Sequence, residues 1–254
     1  MHFAHRLADR AGAVIRPFFR QRVDISDKGG GAFDPVTEAD RGAEAAMREM
    51  IEAEYPGHGI LGEEFGEKTA DSPYRWVLDP IDGTKAFICG LPSWGTLIGL
   101  THEGRPMLGI MDQPVTGDRF RGSPDGAYLR DRGGEERPIR TRSCPGLADA
   151  ILSATTPDMF KGDDAARFAG LHGACRLTRF GGDCYAYALL AAGFFDIVCE
   201  ASLKPYDIVP LVPIIEGAGG IVTSWDGGSA GAGGNILAVG DPSLHEAAMR
   251  ALAG

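Results

Sequence analysis

Residues 76–85 read Trp-Val-Leu-Asp-Pro-Ile-Asp-Gly-Thr-Lys, an apolar run that ends in two carboxylates and a hydroxyl. The apolar residues predict a buried strand, with Asp79 and Asp82 at its end. Pro80 fixes the backbone angle φ and Gly83 permits a tight reversal, so the oxygen atoms of this stretch can converge. Carboxylate, carbonyl and hydroxyl oxygens are the ligands that Mg²⁺ prefers. The stretch therefore indicates a divalent-metal site, whereas either aspartate alone would indicate an Asp-Pro turn.

Hydrophobic periodicity on either side of this stretch predicts an α/β fold with an α+β N-terminal half. In the first half we expect helices over 3–19 and 37–54, and strands over 60–62, 75–79, 94–100 and 106–111. The following stretch, 113–148, is predicted to be rich in turns, with short β segments at best. In the second half we expect strands over 150–154, 174–180, 195–199, 220–224 and 236–239, and helices over 162–171, 183–192, 207–218 and 242–252. This alternation predicts a sheet covered by helices on both faces. The glycine-rich run 227–234 is interpreted as a flexible surface loop.

Composition excludes several classes of protein. The 254 residues include 35 acidic and 25 basic side chains, a formal net charge of −10, which argues against a nucleic-acid partner. No apolar run approaches the roughly 18–20 residues needed to cross a bilayer, so we expect no membrane association. The charged N-terminus does not resemble a signal peptide, and the five cysteines form no CxxC pair. Free thiols in a cytoplasmic protein explain them best.

Three further carboxylates are candidates for the same site, each with a simpler structural explanation. Glu63 follows the predicted strand 60–62 and could reach the metal site at the adjacent strand end, although surface glutamates are common. Asp207 opens a predicted helix and could point at a metal or cap that helix. Asp40 lies in Thr37-Glu38-Ala39-Asp40, which is also a plausible capping box. The sequence leaves these alternatives open.

Four motifs, taken in order, resemble those of the inositol monophosphatase-like, Mg²⁺-dependent phosphatases. They are DPVTEAD at 34–40, LGEE at 61–64, DPIDGTK at 79–85 and KPYDIVPLVPIIEGAGG at 204–220. The resemblance covers nearly the whole chain and implies a layered αβαβα sandwich, a homodimer and a small phosphorylated substrate. It also implies one compact unit, in which residues 1–145 carry most metal ligands and residues 146–254 carry substrate contacts.

The resemblance further implies roles for individual residues. It implies two or three Mg²⁺ ions per site, held by Glu63, Asp79, the Ile81 carbonyl, Asp82, Thr84 and Asp207. Glu63 and Thr84 would take a proton from the attacking water, and Asp40 would orient Thr84 by a hydrogen bond. The expected substrate contacts are Asp82, Gly83, Thr84, Asp183, Glu200 and Asp207.

Within the family, residues 87–98 and 181–187 resemble the histidinol-phosphate phosphatase branch, and so does Pro-Tyr-Asp at 205–207. Histidinol phosphate carries a primary ammonium and a protonatable imidazole. Asp183 could pair with the ammonium through a charge-assisted hydrogen bond, with Glu200 as a second acidic contact, unless Asp183 merely caps its helix.

The function expected from these residues is hydrolysis of L-histidinol phosphate in histidine biosynthesis by a water nucleophile. One alternative is an inositol monophosphatase, or a broad phosphatase of sugar phosphates or adenosine bisphosphates. Another is a catalytically silent binding protein on the same fold, although such a protein would need none of the oxygen ligands that the motifs retain.

Overall fold

The computed structural model describes residues 1–21, 25–27 and 35–253. Asp34, the first residue of the first motif, lies outside the described residues. So does the side chain of Thr37, the capping residue considered for the second helix. Among the described helices, none combines the length and the apolar character needed to cross a membrane.

Helices and strands largely alternate in the second half of the chain, as the periodicity predicts, whereas five successive strands occupy residues 95–138 in the first half. The helices are α1 (His2–Ile15), α2 (Glu38–Glu54), α3 (Thr84–Ile88), α4 (Asp163–Ala174), α5 (Asp183–Ala191), α6 (Pro205–Ile208), α7 (Val212–Gly217) and α8 (His245–Ala253). The strands of the first half are β1 (Ile25–Asp27), β2 (Pro35–Thr37), β3 (Gly59–Gly62), β4 (Gly66–Lys68), β5 (Tyr74–Asp82), β6 (Gly95–His102), β7 (Arg105–Gln113), β8 (Asp118–Ser123), β9 (Gly126–Arg130) and β10 (Glu136–Pro138). Those of the second half are β11 (Ile151–Ala154), β12 (Leu177–Phe180), β13 (Ile197–Leu203), β14 (Ile221–Ser224) and β15 (Gly234–Val239).

Two large sheets form the frame. The first has eight strands in the order β10-β9-β8-β7-β6-β5-β3-β4, and the second has five in the order β12-β11-β13-β15-β14; β1 and β2 form a separate pair. In the first sheet β3 runs parallel to β5, so both strands end at the same edge. β5 is the strand on which residues 79–82 lie, and the loop after β3 begins at Glu63. The parallel pairing therefore brings the second and third motifs side by side.

The layers follow from which residues are buried together. Helices α1 and α2 cover one face of the first sheet, where Leu7, Met47 and Leu78 share a core cluster. Helices α5 and α7 lie between the sheets, in a cluster that includes Met111 of the first sheet and Ala238 of the second. Helices α4 and α8 cover the outer face of the second sheet. This order of layers confirms the predicted αβαβα sandwich.

Three expectations from the sequence differ from the structure. The helix predicted over 207–218 is wrong, because it is broken into α6 and α7; Pro210 has no N–H to donate, and Pro213 lies in the first turn of α7. The segment 113–148 is more regular than predicted, since β8 and β9 are full members of the first sheet. The run 227–234 contains a 3₁₀ turn at Ala230–Ala232 and the start of β15. The division of the chain at residue 145 stays a prediction.

Close backbone packing fixes the link between α6 and α7 on the first sheet. A methyl group on Gly109 of β7 would stand 1.7 Å from the Pro210 carbonyl oxygen, and one on Gly99 of β6 would stand 3.3 Å from Pro210. Side chains at these two positions would push the link away from the sheet. The glycines therefore determine where the short helix α6, which carries Asp207, can lie.

Candidate active site

The end of β5 departs from regular strand geometry in order to present oxygen atoms. The pairing of β5 with β6 shifts register between Asp79 and Asp82. The Asp79 carboxylate is buried and accepts the Ile81 backbone N–H at 3.1 Å, which closes a local turn. Gly83 follows with φ of +86°, a left-handed conformation that glycine adopts without strain. The Asp-Pro turn considered at first is therefore present, and it orients Asp79.

Three carboxylates from distant parts of the sequence meet at this strand end. Within the described residues, Asp79, Asp82 and Asp207 each offer a carboxylate oxygen, and these oxygens all lie within 4.8 Å of one another. One oxygen of Asp82 accepts the Cys184 N–H of α5 at 2.7 Å. One oxygen of Asp207 accepts the Lys204 N–H at 2.7 Å, so the capping role also exists. Each side chain is anchored through a backbone amide and still belongs to the cluster.

The electrostatics of this cluster fit a hard cation. Burial raises the pKa of Asp79 well above its ordinary value, and the negative charges of Glu63, Asp82 and Asp207 raise it further. Burial raises the pKa of Asp82 well above its ordinary value too, with repulsion from Asp207 as the next cause. Buried carboxylates crowded in this way are costly unless a proton or a cation offsets their charge. An all-oxygen donor set of this kind suits Mg²⁺.

The remaining catalytic candidates lie beside the cluster. Glu63 follows β3, and its charge raises the pKa of Asp79. Asp40 is buried on α2, and its charge also raises the pKa of Asp79. The Thr84 hydroxyl donates to the Ile81 carbonyl at 3.1 Å, so the two uncharged oxygens expected to bind metal are neighbours.

A second buried carboxylate site adjoins the cluster. A cavity of about 120 Å³ is lined by Asp82 and Asp207 of the cluster and also by Glu200. Glu200 accepts the Thr155 N–H at 2.8 Å, the Thr155 hydroxyl at 2.5 Å and the Tyr187 hydroxyl at 3.2 Å. Burial raises the pKa of Glu200 to about 7, against the lowering effect of the Thr155 hydrogen bond. In the described part of the chain, every donor that reaches Glu200 is neutral.

Asp183 borders the same cavity in a constrained position. It is the first residue of α5 and has φ of +44°, a left-handed conformation that aspartate tolerates at some cost. Its carboxylate accepts the Ser93 hydroxyl at 3.3 Å. Burial raises its pKa, while the Ser93 hydrogen bond and the charge of Lys85 lower it. Gly182, and not Asp183, is the N-cap of α5, so N-capping does not explain Asp183.

An outer groove continues from this cavity towards the surface. It has a volume of about 340 Å³ and shares Thr155 and Asp183 with the inner cavity. Lys85, Cys89 and Leu91 line its outer wall, and Leu91 is exposed. The body of a substrate whose phosphate lies at the acidic cluster could therefore pass Asp183 and extend into this groove.

Several residues that shape the site were not predicted from the sequence. Thr155 and Tyr187 hold Glu200, Ser93 holds Asp183, and Glu44 of α2 holds the loop that carries Glu63. The position of Thr155 directly after β11 was the one available signal, because loops at strand ends of α/β sheets often carry functional groups. The others depend on contacts between residues far apart in the sequence.

This combination of an αβαβα sandwich and a partly buried acidic cluster at the end of β5 is the arrangement expected of a metal-dependent phosphatase. A model of the inositol monophosphatase family matches residues 1–253, and the chain belongs to that family. It is therefore a phosphatase of a metal-dependent family whose members act on small phosphorylated substrates.

Relatives with different named activities match the chain over nearly its full length. The bifunctional phosphatase IMPL2, chloroplastic, of Arabidopsis thaliana is 44% identical over 97% of this chain and 72% of its own. The histidinol-phosphatase of Mycobacterium tuberculosis is 34% identical, over 97% of this chain and 95% of its own. The solved structure of an inositol monophosphatase from Zymomonas mobilis is 46% identical and superposes with a TM-score of 0.88, covering 100% of this chain and 97% of that one.

Proposed function

We propose that this protein is an Mg²⁺-dependent histidinol-phosphate phosphatase, which releases histidinol and inorganic phosphate. The observation that carries the proposal is Glu200, a buried carboxylate with neutral donors only, in a cavity shared with the acidic cluster. A cationic group of the substrate would offset the charge of ionised Glu200, whereas with a neutral polyol only protonation could do so, because the pKa of Glu200 is raised to about 7. Histidinol phosphate offers both an ammonium and an imidazole.

The cluster would hold the reacting end of the substrate. The donor set proposed for Mg²⁺ consists of Glu63, Asp79, the Ile81 carbonyl, Asp82, Thr84 and Asp207. Bound Mg²⁺ would neutralise the phosphate and stabilise charge on the attacking and leaving oxygens. The proton of the attacking water would go either to Glu63 or to Thr84, and in the second case Thr84 would pass its own hydroxyl proton to Asp40. The N–H groups of Gly83 and Thr84 would donate to phosphate oxygens.

Asp183 and Glu200 would recognise the rest of the substrate. Both carboxylates line the inner cavity, and Asp183 also borders the outer groove. We assign the ammonium to Asp183, with Glu200 as the contact deeper in the cavity. Relatives named histidinol-phosphatase in three bacteria, at 32–34% identity, support histidinol phosphate as the substrate.

Inositol phosphate is the second candidate substrate. The Zymomonas mobilis relative, named an inositol monophosphatase, favours it at 46% identity, and relatives of that name from Rhizobium meliloti and Caulobacter vibrioides are 31% and 33% identical. A broad activity on sugar phosphates or adenosine bisphosphates would use the same cluster. The homodimer and the cytoplasmic location stay predictions.

Phosphate release decides between these substrates. Purified protein with Mg²⁺ is assayed on histidinol phosphate, myo-inositol 1-phosphate, fructose 1,6-bisphosphate and adenosine 3′,5′-bisphosphate. We expect the highest kcat/KM for histidinol phosphate. A higher value for myo-inositol 1-phosphate would replace this proposal with the inositol alternative, and no release from any of the four would favour a silent binding protein.

Two variants test the recognition of the cation. We expect Asp183→Asn and Glu200→Gln each to raise KM for histidinol phosphate about ten- to hundredfold, because each loses a charge-assisted contact. The effect on a polyol phosphate should be much smaller. Asp163→Asn, at the first residue of the exposed start of α4, is the matched control. Equal effects on both substrates would contradict the proposed contacts.

A further inference from the structure

The loop between β3 and β4, residues 63–65, is bound by a buried glutamate of α2. The Glu44 side chain is fully buried, and its carboxylate accepts the N–H of Glu64 at 2.7 Å and that of Phe65 at 3.2 Å. Gly62 approaches it so closely that a methyl group there would stand 2.0 Å from Glu44 Oε1. The backbone of this loop therefore lies directly against a buried carboxylate.

An arginine completes the attachment. Arg48 lies one turn further along α2, and its Nε donates to Glu44 Oε1 at 2.7 Å. The same guanidinium donates to the Gly66 carbonyl and lies 5.9 Å from the centre of the Phe65 ring. Glu44 thus binds the backbone amides in the middle of the loop, and Arg48 binds the carbonyl of Gly66 at its end. Removing two charges from water is costly, so a buried ion pair is weak evidence of added stability. The position that Glu44 and Arg48 impose on the loop therefore calls for a functional explanation.

Glu63 lies at the start of this loop, facing the acidic cluster. Its own N–H donates to the Leu78 carbonyl of β5 at 3.2 Å, one residue before Asp79. Three successive amides, of residues 63, 64 and 65, are therefore fixed, the first to β5 and the other two to Glu44. This arrangement holds Glu63 near Asp79, whose pKa it raises.

We propose that Glu44, supported by Arg48, is a positioning residue of the metal site, which fixes the loop so that Glu63 is in place before a cation binds. The inference rests on the proposed function, because it takes Glu63 as a metal ligand. Groups that orient ligands without touching the metal commonly change metal affinity by about 10- to 100-fold when they are replaced. Without Glu44, binding would also have to order the loop.

Titration calorimetry with Mg²⁺ alone, without substrate, tests the proposal. Glu44→Gln keeps the size of the side chain and one carbonyl acceptor but loses the charge that pairs with Arg48. We expect Mg²⁺ to bind it about 10- to 100-fold more weakly than the wild type. The matched control is Glu54→Gln on the same helix, since Glu54 is exposed and pairs with Arg6 at 2.7 Å. Affinity equal to that of the control would overturn the proposal.

A second variant and a kinetic measurement separate positioning from folding. Circular dichroism establishes whether Glu44→Gln is folded. If it is not folded, the Mg²⁺ titration is repeated with Arg48→Gln. Mg²⁺ affinity at least tenfold weaker than that of the wild type would support the proposal, and unchanged affinity would overturn it. For folded variants we expect a higher Mg²⁺ concentration for half-maximal activity and an unchanged substrate KM at saturating Mg²⁺. A changed KM at saturating Mg²⁺ would overturn the proposal.

The proposed function can fail independently of this inference. A wild-type protein that binds no Mg²⁺ would overturn the metal centre itself. If the wild type binds Mg²⁺ but does not hydrolyse histidinol phosphate, the substrate assignment is overturned. The role of Glu44 is then still tested by the Mg²⁺ titration of the Glu44→Gln variant.

Discussion

Asp82→Asn is the substitution whose effect on stability should change sign with Mg²⁺. The asparagine keeps a carbonyl oxygen that can accept the Cys184 N–H, now bonded at 2.7 Å, so α5 stays attached. The substitution removes one negative charge from a buried cluster and changes little else. The same charge that destabilises the metal-free protein is expected to be needed when the cation binds.

The size of the effect follows from the geometry of the cluster. The carboxylate oxygens of Asp79, Asp82 and Asp207 lie within 4.8 Å of one another. Two unit charges at that separation repel by about 3.5 kcal/mol at an effective dielectric constant of about 20. Protonation relieves part of this repulsion, because burial and the neighbouring charges raise the pKa of Asp82. We therefore expect Asp82→Asn to stabilise the metal-free protein by about 1–3 kcal/mol.

Mg²⁺ should reverse the order of stability. A ligand at 1,000 times its Kd stabilises the folded state by about 4.1 kcal/mol, which exceeds the roughly 1–3 kcal/mol expected from removal of the charge. The wild type should gain this much, whereas Asp82→Asn should gain little and release no phosphate. Urea unfolding in EDTA and in excess Mg²⁺ measures both effects, with Asp125→Asn in the exposed turn after β8 as a control. A variant that is less stable in EDTA and gains as much from Mg²⁺ as the wild type would refute the reasoning.

Three other substitutions test the structure away from the cluster. Arg119→Met should lower the free energy of unfolding by about 3–5 kcal/mol, because it leaves Asp112, bonded at 2.6 Å, buried without its cation; urea unfolding measures this. His5→Asn should abolish a loss of about 1–2 kcal/mol of stability, after allowance for solvent screening, that the wild type suffers as the pH falls from 6.5 towards 4; unfolding between pH 7 and 4 measures this. Burial and the charge of Arg119 lower the pKa of His5 to about 4, so the unfolded chain takes up a proton that the folded chain does not. Gly109→Ala should cost about 1–3 kcal/mol or more and lower kcat, since its methyl group would meet the Pro210 carbonyl.

Each of these expectations has a contrasting outcome. Arg75→Met, at an exposed pair with Glu67, is the control for the buried arginine and should cost within about 1 kcal/mol; equal losses would contradict the role of burial. Parallel pH profiles for the wild type and His5→Asn would contradict the lowered pKa. Gly57→Ala is the control for the glycine, because nothing lies within 4 Å of a methyl group there. Equal stability and kcat in both glycine variants would contradict the close packing at Gly109.

The carboxylates that meet at the end of β5 could be anticipated because the sequence itself places them there. Asp79 and Asp82 follow an apolar strand, separated by residues that force a turn. Glu63 follows a neighbouring strand, and β3 and β5 prove to be parallel, so their ends coincide. Asp207 was expected through the fourth motif and lies in the same cluster.

The groups that support the site could not be anticipated in the same way. Glu44 is one of several glutamates on an amphipathic helix, and its burial depends on how α2 lies against the loop after β3. Tyr187 reaches Glu200 only because α5 packs on β13. The break between α6 and α7 is local, and Pro210 with Pro213 could have revealed it. Periodicity reports which face of an element is apolar, and not which distant polar group that face will meet.

The cluster of Asp79, Asp82 and Asp207 joins two layers of the sandwich. The first two residues end a strand of the eight-stranded sheet, and the third belongs to the one-turn helix that follows β13 of the five-stranded sheet. An ion shared by them would act as a reversible cross-link between the two sheets. Catalytic competence and resistance to heat or proteolysis would then depend on the same bound metal, so that chelation would remove both together.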